Sequence, residues 1–184
     1  MKEYYVRRAA EYEDVYLKPE RQEDLQQLKT MLSGAFAGMD VLEVACGTGY
    51  WTQYIARTAR SILATDVNSE VLSLARQKDY GRCGVSFAVA DAYSLAGIDL
   101  VANAGFHGFW WSHVPLQRLP AFLAALHSKL RPGSKVVMID NRFVEGSSTP
   151  IVRTDGAGNT YQVRRLKDGS QYEVLKNYPS EAMI

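Results

Sequence analysis

The sequence predicts an α/β fold, a twisted parallel sheet with helices on both faces. Three observations carry this. Short apolar runs alternate along the chain with stretches of helical spacing, and strands that alternate with helices are joined by right-handed crossovers, which leaves them parallel. The run Val136 to Ile139 is apolar at every position, as befits a strand covered on both faces. The run Val41 to Val44 passes directly into Ala45 to Gly49, a tight turn of small residues, before a helical pattern begins at Tyr50. Strand, glycine turn and helix is the layout of a nucleotide-cofactor site. Glycine lets backbone approach a ligand closely, and a helix start presents unpaired N–H groups.

Bulk properties narrow the class. The chain has 184 residues, enough for one domain with a substantial core. Its formal net charge of +1 gives no nucleic-acid footprint. Two cysteines, Cys46 and Cys83, are too few for a disulfide framework, and no metal site is expected. No apolar run approaches the roughly 18 residues that span a membrane, and no leader pattern opens the chain, so a soluble cytoplasmic protein is expected.

Taken in order, residues 2–17 read as an amphipathic helix rich in tyrosine: Tyr4, Tyr5, Tyr12 and Tyr16. It either packs on the body or covers the site. Pro19 opens a helix to about Leu32, with Leu25, Leu28 and Leu32 on its inner face. After the first strand, a helix is expected over 50–59, with Trp51, Tyr54 and Ile55 inward. Ser61 to Thr65 is the second strand, closed by Asp66. A helix over 71–78, a third strand over 85–89 and a fourth over 99–106 follow. A helix over 115–130 tolerates Pro120 in its first turn. Arg131-Pro132-Gly133 stops it, and Lys135 to Asp140 is the fifth strand. Beyond Asn141 the period changes to two: residues 160–166 and 171–176 alternate around Asp168-Gly169, a hairpin signal. DGAGN at 155–159 reads as a second turn, and Pro179, Ser180 and Glu181 as a helix start.

The same residues limit the ligand. Glu43 lies just ahead of the glycine turn, where a carboxylate repels a pyrophosphate. Thr52 follows where a third glycine of G-x-G-x-x-G is looked for, so a phosphate-free cationic cofactor suits the turn better than NAD. Asp66 lies about 17 residues beyond Gly49, near the ~20-residue spacing of an acid that binds ribose hydroxyls. Phe106 to His113 crowds aromatic residues at a strand's C-terminal end, where open α/β sheets bind ligands.

ExACGTG at 43–49 resembles motif I of the class I S-adenosylmethionine-dependent methyltransferases. LATDVN at 63–68, VADAY at 89–93, HGFWWSHVP at 107–115 and LRPGSKVVMID at 130–140 are similar to other stretches of that family, in the same order. The resemblance implies a Rossmann-like sheet of order 3-2-1-4-5 and methyl transfer from S-adenosylmethionine to a small-molecule acceptor. It implies cofactor contacts from Tyr12, Glu43, Ala45, Cys46, Gly47, Gly49, Asp66, Val67, Asp91, Ala92 and the backbone at His107. In the family the 1–35 segment is a helical lid, and Asp91 meets the adenine amine. Of Trp110 and Trp111, one is expected to line the acceptor pocket and the other to pack. His113 is the candidate general base, with His107 in reserve; the alternative for His113 is a structural bond to backbone. The family continues with a further helix and hairpin, so residues 145–184 read as a hairpin and a shortened C-terminus. Two consequences are expected: a fifth-strand edge covered by the hairpin or by a second subunit, and, as the alternative function, cofactor binding without catalysis.

Overall fold

The computed structural model describes Tyr4 and residues 8–179. Five parallel strands form the main sheet: β1 (Asp40–Val44), β2 (Ser61–Asp66), β3 (Gly84–Val89), β4 (Ala102–Gly108) and β5 (Leu130–Ile139). Their order is β3-β2-β1-β4-β5, so the order in which strands are added across the sheet reverses between β1 and β4. That reversal opens a crevice at the carboxyl ends of the strands. Helices α1 (Gln22–Ala35), α2 (Thr52–Ile55), α3 (Ser69–Ala75) and α4 (Leu119–Ser128) connect and cover the sheet. Two apolar layers result. One gathers Leu32, Phe36, Ile55 and Phe106, the other Leu42, Val44, Trp111, Phe122 and Leu126.

Several elements differ from expectation, each for a local reason. Residues 9–16 form a 3-10 turn, Ala9–Tyr16, rather than an α-helix, closed by Leu17; of residues 2–8 of the expected helix only Tyr4 and Arg8 are described, and Ser180 and Glu181 also lie outside the described residues. α2 is one turn long and runs on as turns, in which the Ile55 carbonyl accepts the N–H groups of both Thr58 and Ala59; the Thr58 carbonyl accepts the Gly38 N–H at 2.8 Å as the chain leaves for β2. β4 starts at Ala102, two residues before the aligned pairing with Lys135 begins, and the register breaks between Ala102 and Ala104. β5 therefore runs through Arg131–Gly133 as an irregular stretch rather than beginning after it.

The C-terminal excursion is a separate three-stranded antiparallel sheet: β6 (Arg153–Thr154), β7 (Thr160–Arg165) and β8 (Gln171–Leu175). β7 and β8 pair from Tyr161–Leu175 to Arg165–Gln171, and Gly169 supplies the positive φ of 87° that the turn needs. Among the described residues this sheet shares no strand pairing with β5. It docks instead on the 3-10 turn Trp111–His113. Among the described residues, no helix is long and apolar enough to cross a membrane.

Candidate active site

A cavity opens at the carboxyl ends of β1, β2 and β4, lined by Tyr12, Ala45, Gly47, Thr48, Asp66, Val67, Asn68, Val71, Ala90, Asp91, Ala92, Tyr93, Gly108, Phe109, Trp110, His113 and Arg118. Its floor is the turn after β1. Ala45, Gly47 and Gly49 all have positive φ, at 57°, 57° and 75°. Ala45 and Phe109 are two of three non-glycine residues with positive φ among the described residues, and both line the cavity. Backbone strain of this kind, of order 1–3 kcal/mol per residue, collects where a ligand site dictates the path of the chain.

Asp66 ends β2 with its carboxylate held by backbone. Oδ2 accepts the Gly47 N–H and Oδ1 the Asn68 N–H, each at 2.9 Å. Burial pushes its pKa up, opposed by the N–H groups of Asn68, Gly47 and Val67. The Asn68 side chain caps nothing at the start of α3, so Asp66 itself serves the backbone there. Asp91 accepts the Tyr93 N–H at 2.8 Å and shapes the loop after β3, with Ala92 buried beside it. It is both a turn former and a lining residue.

The 3-10 turn at 9–16 lies against the glycine turn. Thr48 Oγ1 donates to Glu13 at 2.5 Å, and Lys78 pairs with the same carboxylate. Tyr16 stacks on Tyr50 at 3.8 Å and accepts the Trp51 indole N–H at 3.2 Å. Tyr12 is thereby carried into the lining, its pKa raised by burial and lowered by Arg8.

On the opposite side, the segment 111–118 is fastened to the C-terminal excursion. The Asn177 N–H donates to the Ser112 carbonyl at 2.7 Å, and its Nδ2 donates to Val114 O and to Asn159 Oδ1. Asn159 Oδ1 also accepts the Leu116 N–H at 2.7 Å. His113 Nδ1–H donates to the Leu175 carbonyl at 2.8 Å, which fixes the tautomer and leaves Nε2 as the nitrogen with the lone pair. Burial, reinforced by Lys176, depresses the His113 pKa to about 3, against the opposite pull of Asp140.

The cavity does not collect every residue named from sequence. Glu43 is 1% exposed beneath the glycine turn, because alternation along β1 turns it toward Thr52 rather than into the crevice. Cys46 packs in the core, and Gly49 is enclosed by Ala75 and Tyr80. His107 is fully buried in β4, stacked on Trp111 and edge-on to Phe122, so its ring cannot stand in for His113. Trp110 lines the cavity; Trp111 is core. Thr48, Asn68, Tyr93, Phe109 and Arg118 line it without having been singled out. Asn68 and Tyr93 are each two residues past a site aspartate that binds their N–H, which is a readable signal; Arg118 has none.

These features coincide with known proteins. Residues 41–133 match the methyltransferase domain family, and the chain belongs to it. The chain is 28% identical over 145 residues to a protein of Mycolicibacterium smegmatis named as a probable S-adenosylmethionine-dependent methyltransferase, covering 76% of this chain and 51% of that one. It is 33% identical over 111 residues to a fatty-acid O-methyltransferase of the same organism, covering 57% of this chain and 38% of that one. The chain thus spans about half or less of the length of these relatives. A solved structure, the DhpI-SAM-HEP complex, superposes with a TM-score of 0.76 at 28% identity, covering 98% of this chain and 82% of that one.

Proposed function

We propose that the chain binds S-adenosylmethionine in this cavity and acts as a methyltransferase on a small-molecule acceptor. The observation that carries the reading is Asp66, a carboxylate pinned by two backbone N–H groups at the rim of a positive-φ turn. The residues fit the cofactor. A pinned carboxylate accepts two vicinal ribose hydroxyls. Gly47 has nothing within 4 Å of where a Cβ would stand, so the turn leaves room for a ligand. Asp91, Ala92 and Val67 suit the nucleoside base, and Tyr12 closes the methionine end as part of an N-terminal lid.

When bound, S-adenosylmethionine supplies a methyl group already activated on a sulfonium. The chain's task is then to orient the acceptor and exclude water. Tyr12, Phe109 and Trp110 offer aromatic faces to a cation. His113, neutral across the working pH range, offers Nε2 to a hydrogen on the acceptor. With a pKa near 3 it serves as a hydrogen-bond acceptor that aligns the nucleophile, rather than as a strong base.

S-adenosylhomocysteine at 100 times its Kd should stabilise the protein by about 2.7 kcal/mol, and NADH should not. Asp66→Ala should weaken that binding by on the order of 1–3 kcal/mol, the scale of hydrogen bonds to a charged group. Thermal shift and calorimetric titration read both; stabilisation by NADH alone would sink the cofactor assignment. The unpaired outer edge of β5 also favours a homodimer along that strand. Light scattering should give twice the chain mass at tens of micromolar, and a monomer there would reject it.

A further inference from the structure

We infer that Asn68 is a further binding residue of this cavity, donating a side-chain N–H to the oxygen of a ribose hydroxyl whose hydrogen goes to Asp66. The inference rests on the S-adenosylmethionine reading and adds to it a residue that meets the hydroxyl from its other side.

Asn68 stands just before Ser69, the first residue of α3, with the extended backbone of a helix cap, φ −101° and ψ 112°. Asparagine is favoured at that position because its side-chain oxygen accepts an N–H of the first turn. Asn68 makes no such bond. Its side chain lines the cavity instead, together with Val67 and Val71. The residue is 4% exposed, and Oδ1 is buried with no hydrogen-bond partner among the described residues. Asn68 bonds there through its backbone, N–H to Asp66 and carbonyl to the Leu72 N–H, and not through its side chain.

A buried amide without a partner opposes folding, and forgoing the cap opposes it again. Glu43, Thr52, His107 and Trp111 also hold buried polar atoms without partners, but none of them lines the cavity. Among the described residues only Asn68 and Trp110 combine the two properties, and Trp110 stands on the acceptor side. Two local rules broken at one residue of a cavity wall are accounted for by a ligand that completes the bonds.

Asp66 decides which ligand group Asn68 meets. The Asn68 N–H donates to Asp66 Oδ1 at 2.9 Å, so its side chain leaves the backbone beside that carboxylate. An ionised carboxylate only accepts. It takes the hydrogen of a hydroxyl and leaves the lone pairs of the hydroxyl oxygen unused. An amide supplies the donor that Asp66 lacks, and it can turn end for end to present Nδ2. Asp66 and Asn68 together use a hydroxyl both as donor and as acceptor. A site built this way rejects a ligand without the hydroxyl, because two protein groups are then left unpaired.

The test titrates S-adenosylhomocysteine and its 2′-deoxy and 3′-deoxy analogues calorimetrically into the wild type, Asn68→Leu and Asn68→Ser. Leucine nearly matches asparagine in shape, and serine is short and able to cap α3, so the two variants do not share one route to misfolding. Both ligand-free variants should melt at or above the wild-type temperature, since an unpartnered buried group has been removed. Both should bind S-adenosylhomocysteine more weakly by roughly fivefold or more. For one deoxy analogue, the affinity lost relative to S-adenosylhomocysteine should shrink by about threefold or more in both variants, because the missing hydroxyl had two partners and now has one. Melting temperatures several degrees below the wild type in both variants would show a structural role and overturn the inference. Unchanged affinity for S-adenosylhomocysteine also overturns it. So does a loss equal for all three ligands, the signature of a distorted wall rather than of one missing bond. If the wild type itself fails to bind S-adenosylhomocysteine, the cofactor reading falls and this inference with it; wild-type binding that both variants retain in full refutes the role of Asn68 alone.

Discussion

Glu43→Gln should raise the melting temperature of the ligand-free protein at pH 8 by on the order of 10 °C or more, and leave it unchanged at pH 4.5. Glu43 is 1% exposed, and its pKa is pushed up to about 8, chiefly by desolvation and further by Asp66, with Thr52 opposing. Below pH 4.5 the carboxyl is protonated in both folded and unfolded chains and contributes nothing. Between 4.5 and about 8 the unfolded chain sheds a proton that the folded chain retains, so stability falls as pH rises, by about 1.4 kcal/mol per unit. The total is about 5 kcal/mol at pH 8, and glutamine, uncharged and nearly isosteric, removes it. The histidines act in the opposite direction at lower pH. Burial holds His107 near 4 and His113 near 3, so stability is lost as pH falls below 6.5, where the unfolded imidazoles take up protons. The wild-type curve should therefore peak near pH 6.5, and the variant's should flatten above it. Melting curves of both proteins from pH 4.5 to 8.5 measure this; parallel curves would show that Glu43 is ionised in the folded state.

Gly49→Val should lower stability by on the order of 3 kcal/mol, while Gly47→Ala should fold and lose the cofactor. Both glycines have positive φ, which costs a side chain about 1–2 kcal/mol. At Gly49 a Cβ would also stand 2.4 Å from the Tyr80 hydroxyl and 3.1 Å from Ala75 Cβ. Tyr80 can yield only by breaking its 2.7 Å hydrogen bond to the Ala75 carbonyl, and Ala75 is fixed within α3. At Gly47 the added methyl meets no protein atom, so beyond the backbone strain its cost falls on whatever occupies the cavity. Melting temperature and S-adenosylhomocysteine titration separate the two. Equal melting temperatures for Gly49→Val and the wild type would refute the packing argument, and full affinity in Gly47→Ala would move the ligand off the turn.

The difference between those glycines marks what the sequence discloses. The strands were readable because each is a short apolar run, and Asp66 because a strand end and a spacing both point to it. The burial of Glu43 was not readable, because proximity along β1 does not reveal which side of the strand a residue faces beneath a turn. Trp110 and Trp111 are adjacent and chemically alike, and only the 3-10 turn sends one to the cavity and the other to the core. Asn159 and Asn177 carried no signal at all. They read as turn and hairpin-end residues, and their bonds to the 112–116 segment depend on where a separate sheet docks.

That docking has a consequence in time. The glycine turn, Asp66 and the loop after β3 all lie within the first 93 residues and are stitched together by bonds across short separations. The wall carrying His113 is held by Asn159, Leu175 and Asn177, partners 43 to 63 residues further on. On a ribosome the nucleoside half could take shape while the other half had no partner to close against. Contacts of long separation form late, so the emerging chain would shape the turn side of the cavity before the wall that carries His113.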